Sequence, residues 1–266
     1  MVAGIRVGTF LAPKMLGVYQ AITDALGDAL GTTCELVVEP DYQSCLDDLN
    51  DICFVCSLPY VHFERLGFAP AIPVAAAVLR GDRYQSRPIY FSDVIVRADS
   101  GIETFADLRG RSWAYNEPLS QSGYGITRYH LVTLGETEGY FGEVIEAGFH
   151  EAAIRMVAEG AVDASAIDSQ ILAMELRDDS RLAGVLHVID SLGPSTIQPV
   201  GVSRRLDEGF RERVRQVLLG LAAQEGFRPI LDAGMIDYFA PVGPEDFDDI
   251  RAMLDACERA GFMEIR

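Results

Sequence analysis

Two serines bracket a glutamine ahead of a glycine, Ser120-Gln121-Ser122-Gly123, and this short run has the residue types for holding an oxyanion. Ser112-Trp113-Ala114-Tyr115 before it reads as a strand, and Gly125 to Leu134 after it reads as a helix. The hydroxyls therefore fall where a strand hands over to a helix. The first backbone N–H groups of a helix have no intrahelical acceptor, and the helix dipole makes that end positive. Hydroxyl donors added there make an edge suited to phosphate, phosphonate or carboxylate. The same serines also suit a plain helix N-cap.

Other chemistries do not assemble. Ser122, His150 and Asp168 follow one another as in some hydrolases, but Leu119 stands where a nucleophile elbow needs its first glycine. His150-Glu151 lacks the second histidine of a zinc-protease helix. Gly123-Tyr124-Gly125 lacks the third glycine of a dinucleotide loop. Cys53-Phe54-Val55-Cys56 has CxxC spacing inside an apolar run, with no second pair, so its cysteines read as small buried hydrophobes. No catalytic residue, metal ligand or cofactor is expected.

The elements that must position these residues alternate. Ile5 to Thr9, Cys34 to Val38, Ile52 to Cys56, Ala71 to Leu79, Ile89 to Arg97 and Val162 to Ile167 read as strands, several of them apolar throughout. Helical periodicity appears over Met15 to Leu30, His150 to Glu159, Ser169 to Leu176, a long stretch capped by Asp207, and Pro244 to Ala260. Ser191 to Pro199, rich in turn formers, reads as a connector. This alternation argues α/β architecture with mostly parallel sheets. The chain is expected to change lobe near Ser92 to Val96 and near Ile197 to Val202. That gives a first lobe of 1–92 with 198–266 and a second of 93–197, with a ligand cleft between them.

Composition narrows the partners. The chain has 266 residues, 22 Lys+Arg against 40 Asp+Glu and a formal charge of -18. Nucleic acid is disfavoured, because its capture rests on neutralising phosphates with basic residues. No apolar run approaches the ~20 residues of a membrane span, so no membrane insertion is expected. The start at Met1 shows no basic and apolar leader pattern. It leaves two expectations open: a periplasmic or cell-surface protein whose leader was removed, or a cytoplasmic one.

Several ordered motifs resemble one family. Tyr90-Phe91-Ser92-Asp93-Val94-Ile95-Val96 through Ser100-Gly101-Ile102, then Asp107-Leu108-Arg109-Gly110-Arg111-Ser112-Trp113-Ala114-Tyr115, are similar to the interlobe strand and following segment of phosphonate-, phosphite- and phosphate-binding proteins of ABC importers. Ser120-Gln121-Ser122-Gly123 answers that family's Ser-Thr-Ser-Gly. His150 to Ile154 resembles its His-Asp helix, and Ala161 to Ser169 its Asp-containing strand. Pro59-Tyr60-Val61 also fits. The resemblance implies a two-lobed type II periplasmic-binding-protein fold, each lobe a sheet flanked by helices. It implies a solute-binding protein for a small oxyanion, serving an ABC importer permease or a sensor.

The resemblance also implies a site. Ser120, Gln121 and Ser122 would meet ligand oxygens, and Tyr60 and Tyr90 would donate phenolic hydroxyls. His150 would pair with an oxygen, and Asp168 would accept a proton still carried by the ligand, since two like charges in a poorly solvated cleft repel. Gln121 departs from the family's threonine by placing an amide where a small hydroxyl is usual, and Glu151 replaces its aspartate. A rival reading is a cytosolic enzyme of small-molecule or cofactor biosynthesis on the same scaffold.

Overall fold

The computed structural model describes residues 4–67 and 71–265. Residues 1–3, on which the reading of the chain start rests, lie outside it. Among the described residues the strands are β1 (Ile5–Thr9), β2 (Cys34–Val38), β3 (Ile52–Phe54), β4 (Ala71–Leu79), β5 (Ile89–Arg97), β6 (Ser112–Tyr115), β7 (Glu143–Glu146), β8 (Ala164–Asp168), β9 (Leu186–Thr196), β10 (Pro199–Ser203) and β11 (Ile236–Pro241). They form two sheets of mixed parallel and antiparallel strands, where mostly parallel pairing was expected, with helices between most successive strands, in two compact units.

The first unit comprises 1–89 and 196–248. Its sheet has the order β11-β4-β10-β3-β1-β2. β1 pairs in parallel with β2 and β3, while β10 runs antiparallel to both β3 and β4. β3 is buried at every residue, as its unbroken apolar sequence requires of a central strand. Cys53 and Cys56 are buried and in no disulfide, and burial pushes the Cys53 thiol strongly up, so it stays protonated and acts as a small apolar side chain. The edge strand β11 was not legible beforehand. Its burial alternates irregularly and a proline ends it, which leaves only a weak period-2 signal.

The second unit comprises 90–195 and 249–266. Its sheet has the order β7-β6-β8-β5-β9. β6 is parallel to both β7 and β8, and β5 is antiparallel to β8 with Ser92 opposite Asp168. Three parallel strands therefore point their carboxyl ends the same way. The core beneath them holds Trp113, fully buried and stacked on Phe141 with ring centroids 4.5 Å apart, together with Val94, Leu108, Leu131 and Ala166.

Two segments differ from the sequence reading. Ser191 to Thr196 is not a connector but the end of β9, paired on β5. Ladder pairing there overrides the local turn preference of Ser, Gly and Pro. The C-terminal helix and tail, read as first-lobe chain, group with the second unit. Met253 packs on the second core, and Phe262 and Ile265 belong to it. The Tyr124 hydroxyl accepts from the Ile265 amide at 3.1 Å, and Arg128 donates to the Met263 carbonyl at 2.9 Å.

Candidate functional site

The candidate residues cluster at the carboxyl ends of β6, β7 and β8. Each of these strands is followed by a helix start: Gln121 after β6, His150 after β7 and Ser169 after β8. In open α/β sheets this edge is where ligands bind.

After β6 the chain makes a wide π-type turn over Gln121–Gly125 before the Ile126–Leu134 helix. The Gly125 amide reaches back five residues to the Ser120 carbonyl at 2.8 Å. Such turns inside helices recur at functional positions. The Ser120 hydroxyl accepts from the Gly123 amide at 3.1 Å, so the N-cap reading of this serine holds. No backbone acceptor for the Ser122 amide is found in the turns and caps among the described residues, as expected of the first turn of a helix. Gly123 is demanded by close approach. A Cβ there would lie 1.9 Å from the Asn116 side-chain oxygen and 3.3 Å from the Asn116 backbone nitrogen. Ser120, Gln121 and Ser122 are all buried.

The Ser122 hydroxyl lies 2.9 Å from His150 Nε2 and 3.5 Å from the Ser120 hydroxyl. His150 opens the His150–Glu159 helix and is buried, and its Nδ1 has no partner among the described residues. Burial lowers its pKa to about 4, because an imidazolium there would be stripped of water. At neutral pH the ring is uncharged. It then has one donor and one acceptor nitrogen, so it can orient the Ser122 hydroxyl without adding charge.

Asp168 closes β8 and caps the Ser169–Asp178 helix, its Oδ1 accepting from the Gln170 amide at 2.8 Å. It is buried. The adjoining Ser169 hydroxyl accepts from the Phe91 amide at 3.2 Å, which joins this corner to the start of β5. Tyr90, the preceding residue, is 1% exposed.

The turn serines, Gln121, His150, Asp168 and Tyr90 thus all belong to the second unit. Tyr60 belongs to the first. It sits on the Ser57–Arg65 helix, buried edge-on against Phe247, with its hydroxyl 3.4 Å from a Glu64 carboxylate oxygen. Gln121 is turned inward within the second unit. Its amide nitrogen lies 3.2 Å from the Ser195 hydroxyl and 3.2 Å from the Met253 sulfur. Neither partner stood out in the sequence, and nothing local marks them. Asn116, pressed against Gly123, also went unmarked, although an Asn directly after a strand is a common turn signal.

Two hydroxyls and a neutral imidazole come together in this arrangement, and none of Ser120, Gln121, Ser122, His150, Asp168 and Tyr90 carries a positive charge at neutral pH. It suits a small oxyanion bound through hydrogen bonds. A profile of the family described as ABC transporter, phosphonate, periplasmic substrate-binding protein matches residues 9–247. The chain belongs to that family. It is accordingly a substrate-binding component of ABC-transporter type, and the rival reading as a biosynthetic enzyme is not favoured.

Solved structures agree on the fold. A binding-protein component of an ABC phosphonate transporter from Pseudomonas aeruginosa is 18% identical, covers 97% of this chain and 87% of its own length, and has a TM-score of 0.83. PhnD1 from Prochlorococcus marinus, solved with methylphosphonate, is 18% identical, covers 97% and 98%, and has a TM-score of 0.82. A Xanthomonas citri protein solved with chloride is 17% identical, covers 97% and 98%, and has a TM-score of 0.72. At these identities the likeness is one of fold. It supports the two-lobed α/β architecture expected from the sequence.

Proposed function

We propose that the chain captures a small phosphonate, phosphite or phosphate-like anion at the carboxyl edge of the second sheet and presents it to an ABC importer. The observation that carries this is the Ser122 hydroxyl, held 2.9 Å from the buried His150 ring at the start of a helical turn. Ser120 and Ser122 offer hydroxyls to the anion, and His150 sets the direction of the Ser122 hydroxyl or donates to an oxygen itself. Asp168, whose Oδ1 accepts from the Gln170 amide, in this reading also accepts the acidic proton of a monoanion. A buried carboxylate facing a fully ionised ligand would be repelled, so that proton is required. Tyr90 and, from the family resemblance, Tyr60 add phenolic donors.

The methylphosphonate bound by the Prochlorococcus relative supports the choice of ligand class. Binding makes and breaks no covalent bond in this account, and occupancy shifts the populations of the protein's conformations. Titration calorimetry against methylphosphonate, phosphite, phosphate and aminoethylphosphonate tests the reading. Heat of binding from at least one of them is expected. Silence from all four, with folded protein, refutes it.

A further inference from the structure

One residue of the turn faces away from the role its place suggests. Gln121 is 1% exposed, and its amide nitrogen is 3.2 Å from both the Ser195 hydroxyl and the Met253 sulfur. Those partners lie at special places along the chain. The chain passes between its two units after Ile89, after Ser195 and after Asp248. Ser195 is the last second-unit residue before the second passage, and Met253 lies just beyond the third. On the first-unit side the same two passages are joined again, because the Thr196 hydroxyl donates to the Asp246 carbonyl at 2.8 Å. The Asp168–Ser169 corner holds the remaining passage in the same manner, through the Phe91 amide on the Ser169 hydroxyl.

We propose that Gln121 is a positioning residue that ties the anion-binding turn to the segment leaving the second unit and to the segment re-entering it, so that filling the turn orders both. The proposal rests on the anion-binding reading of that turn. Gln121 adjoins both serines, so a ligand drawing on Ser120 and Ser122 fixes the backbone that carries it. A long carboxamide can span from the turn to β9 and to the C-terminal helix together, whereas a threonine hydroxyl at the same place is too short to reach both. The departure from the family's Ser-Thr-Ser-Gly pattern then concerns how occupancy is transmitted rather than how the anion is touched.

Hydrogen–deuterium exchange of the full chain tests this with Gln121→Met, which keeps bulk and loses the donor, and with Ser195→Ala, a smaller change. In ligand-free protein, Q121M should speed exchange about threefold to tenfold at amides of 193–197 and 250–256, as expected for loss of a hydrogen bond. S195A should do so at 193–197. With methylphosphonate, wild-type protein should slow exchange at both segments, and Q121M should keep measurable binding with less than half of that slowing. Unchanged exchange in both ligand-free variants overturns the tie. So does full ligand-induced slowing in Q121M. Abolished binding in Q121M with undisturbed ligand-free exchange overturns it as well, by making Gln121 a ligand contact. Should wild-type protein bind none of the anions tested above, the functional reading fails, and the ligand-free arm still decides the tie.

Discussion

Acidification should unfold this protein partly through one buried ring. His150 carries its proton only below a pKa of about 4 in the folded chain, against an ordinary value of 6.5, because burial disfavours the imidazolium. Between those values the unfolded chain holds a proton that the folded chain refuses. The sign follows from linkage: stability rises with pH wherever the unfolded state binds more protons. The contribution of His150 is complete above the unfolded pKa and is lost as pH falls toward the folded one. The difference of two to three pKa units corresponds to about 3 kcal/mol, with a slope near 1.4 kcal/mol per pH unit in mid-window. His150→Gln keeps a polar side chain within reach of Ser122 and does not titrate. Urea unfolding at intervals from about pH 7 down to about pH 4, followed by the fluorescence of the single tryptophan, Trp113, in the second core, measures the slope for both proteins. Carboxylates contribute equally to the two curves, so the difference isolates the ring. Parallel curves would refute the claim that His150 is held neutral by burial.

The remaining predictions concern the turn and Asp168. Ser122→Ala removes the partner of His150 Nε2 and a donor to the anion, and should weaken methylphosphonate binding about tenfold to a hundredfold by calorimetry. Gly123→Ala drives a Cβ onto Asn116 and should cost about 1–3 kcal/mol in unfolding free energy, read as a lowered melting temperature. Asp168→Asn keeps an N-cap, since Asn caps as well as Asp, so melting should shift little. The affinity of that variant should lose the wild-type preference for the singly ionised ligand, seen as a flatter pH dependence of the dissociation constant across the ligand's second ionisation.

The sequence carried the local features of the site and missed those that depend on tertiary pairing. A strand, a turn with two serines and a helix are written within a few residues, so the turn and its cap at Ser120 could be read directly. Asp168 was equally local, an acidic residue ahead of a helix. The Ser122–His150 bond joins residues 28 apart, and the Gln121 contacts span 74 and 132 residues. No periodicity encodes such pairs. The C-terminal helix shows the same limit: its amphipathic stripe says that a face must be buried but not against which sheet. Only the packing of Met253, Phe262 and Ile265 decides that. At β9 a run of turn formers was recruited into a ladder by its neighbour β5, which local propensity does not foresee.

The most direct test of the central claim is calorimetric titration of wild-type and Ser122→Ala protein with methylphosphonate at neutral pH. The account predicts saturable one-to-one binding by the wild type, weakened at least tenfold in the variant under conditions where both proteins are folded. Equal affinities in the two proteins would show that the anion is not held at this turn.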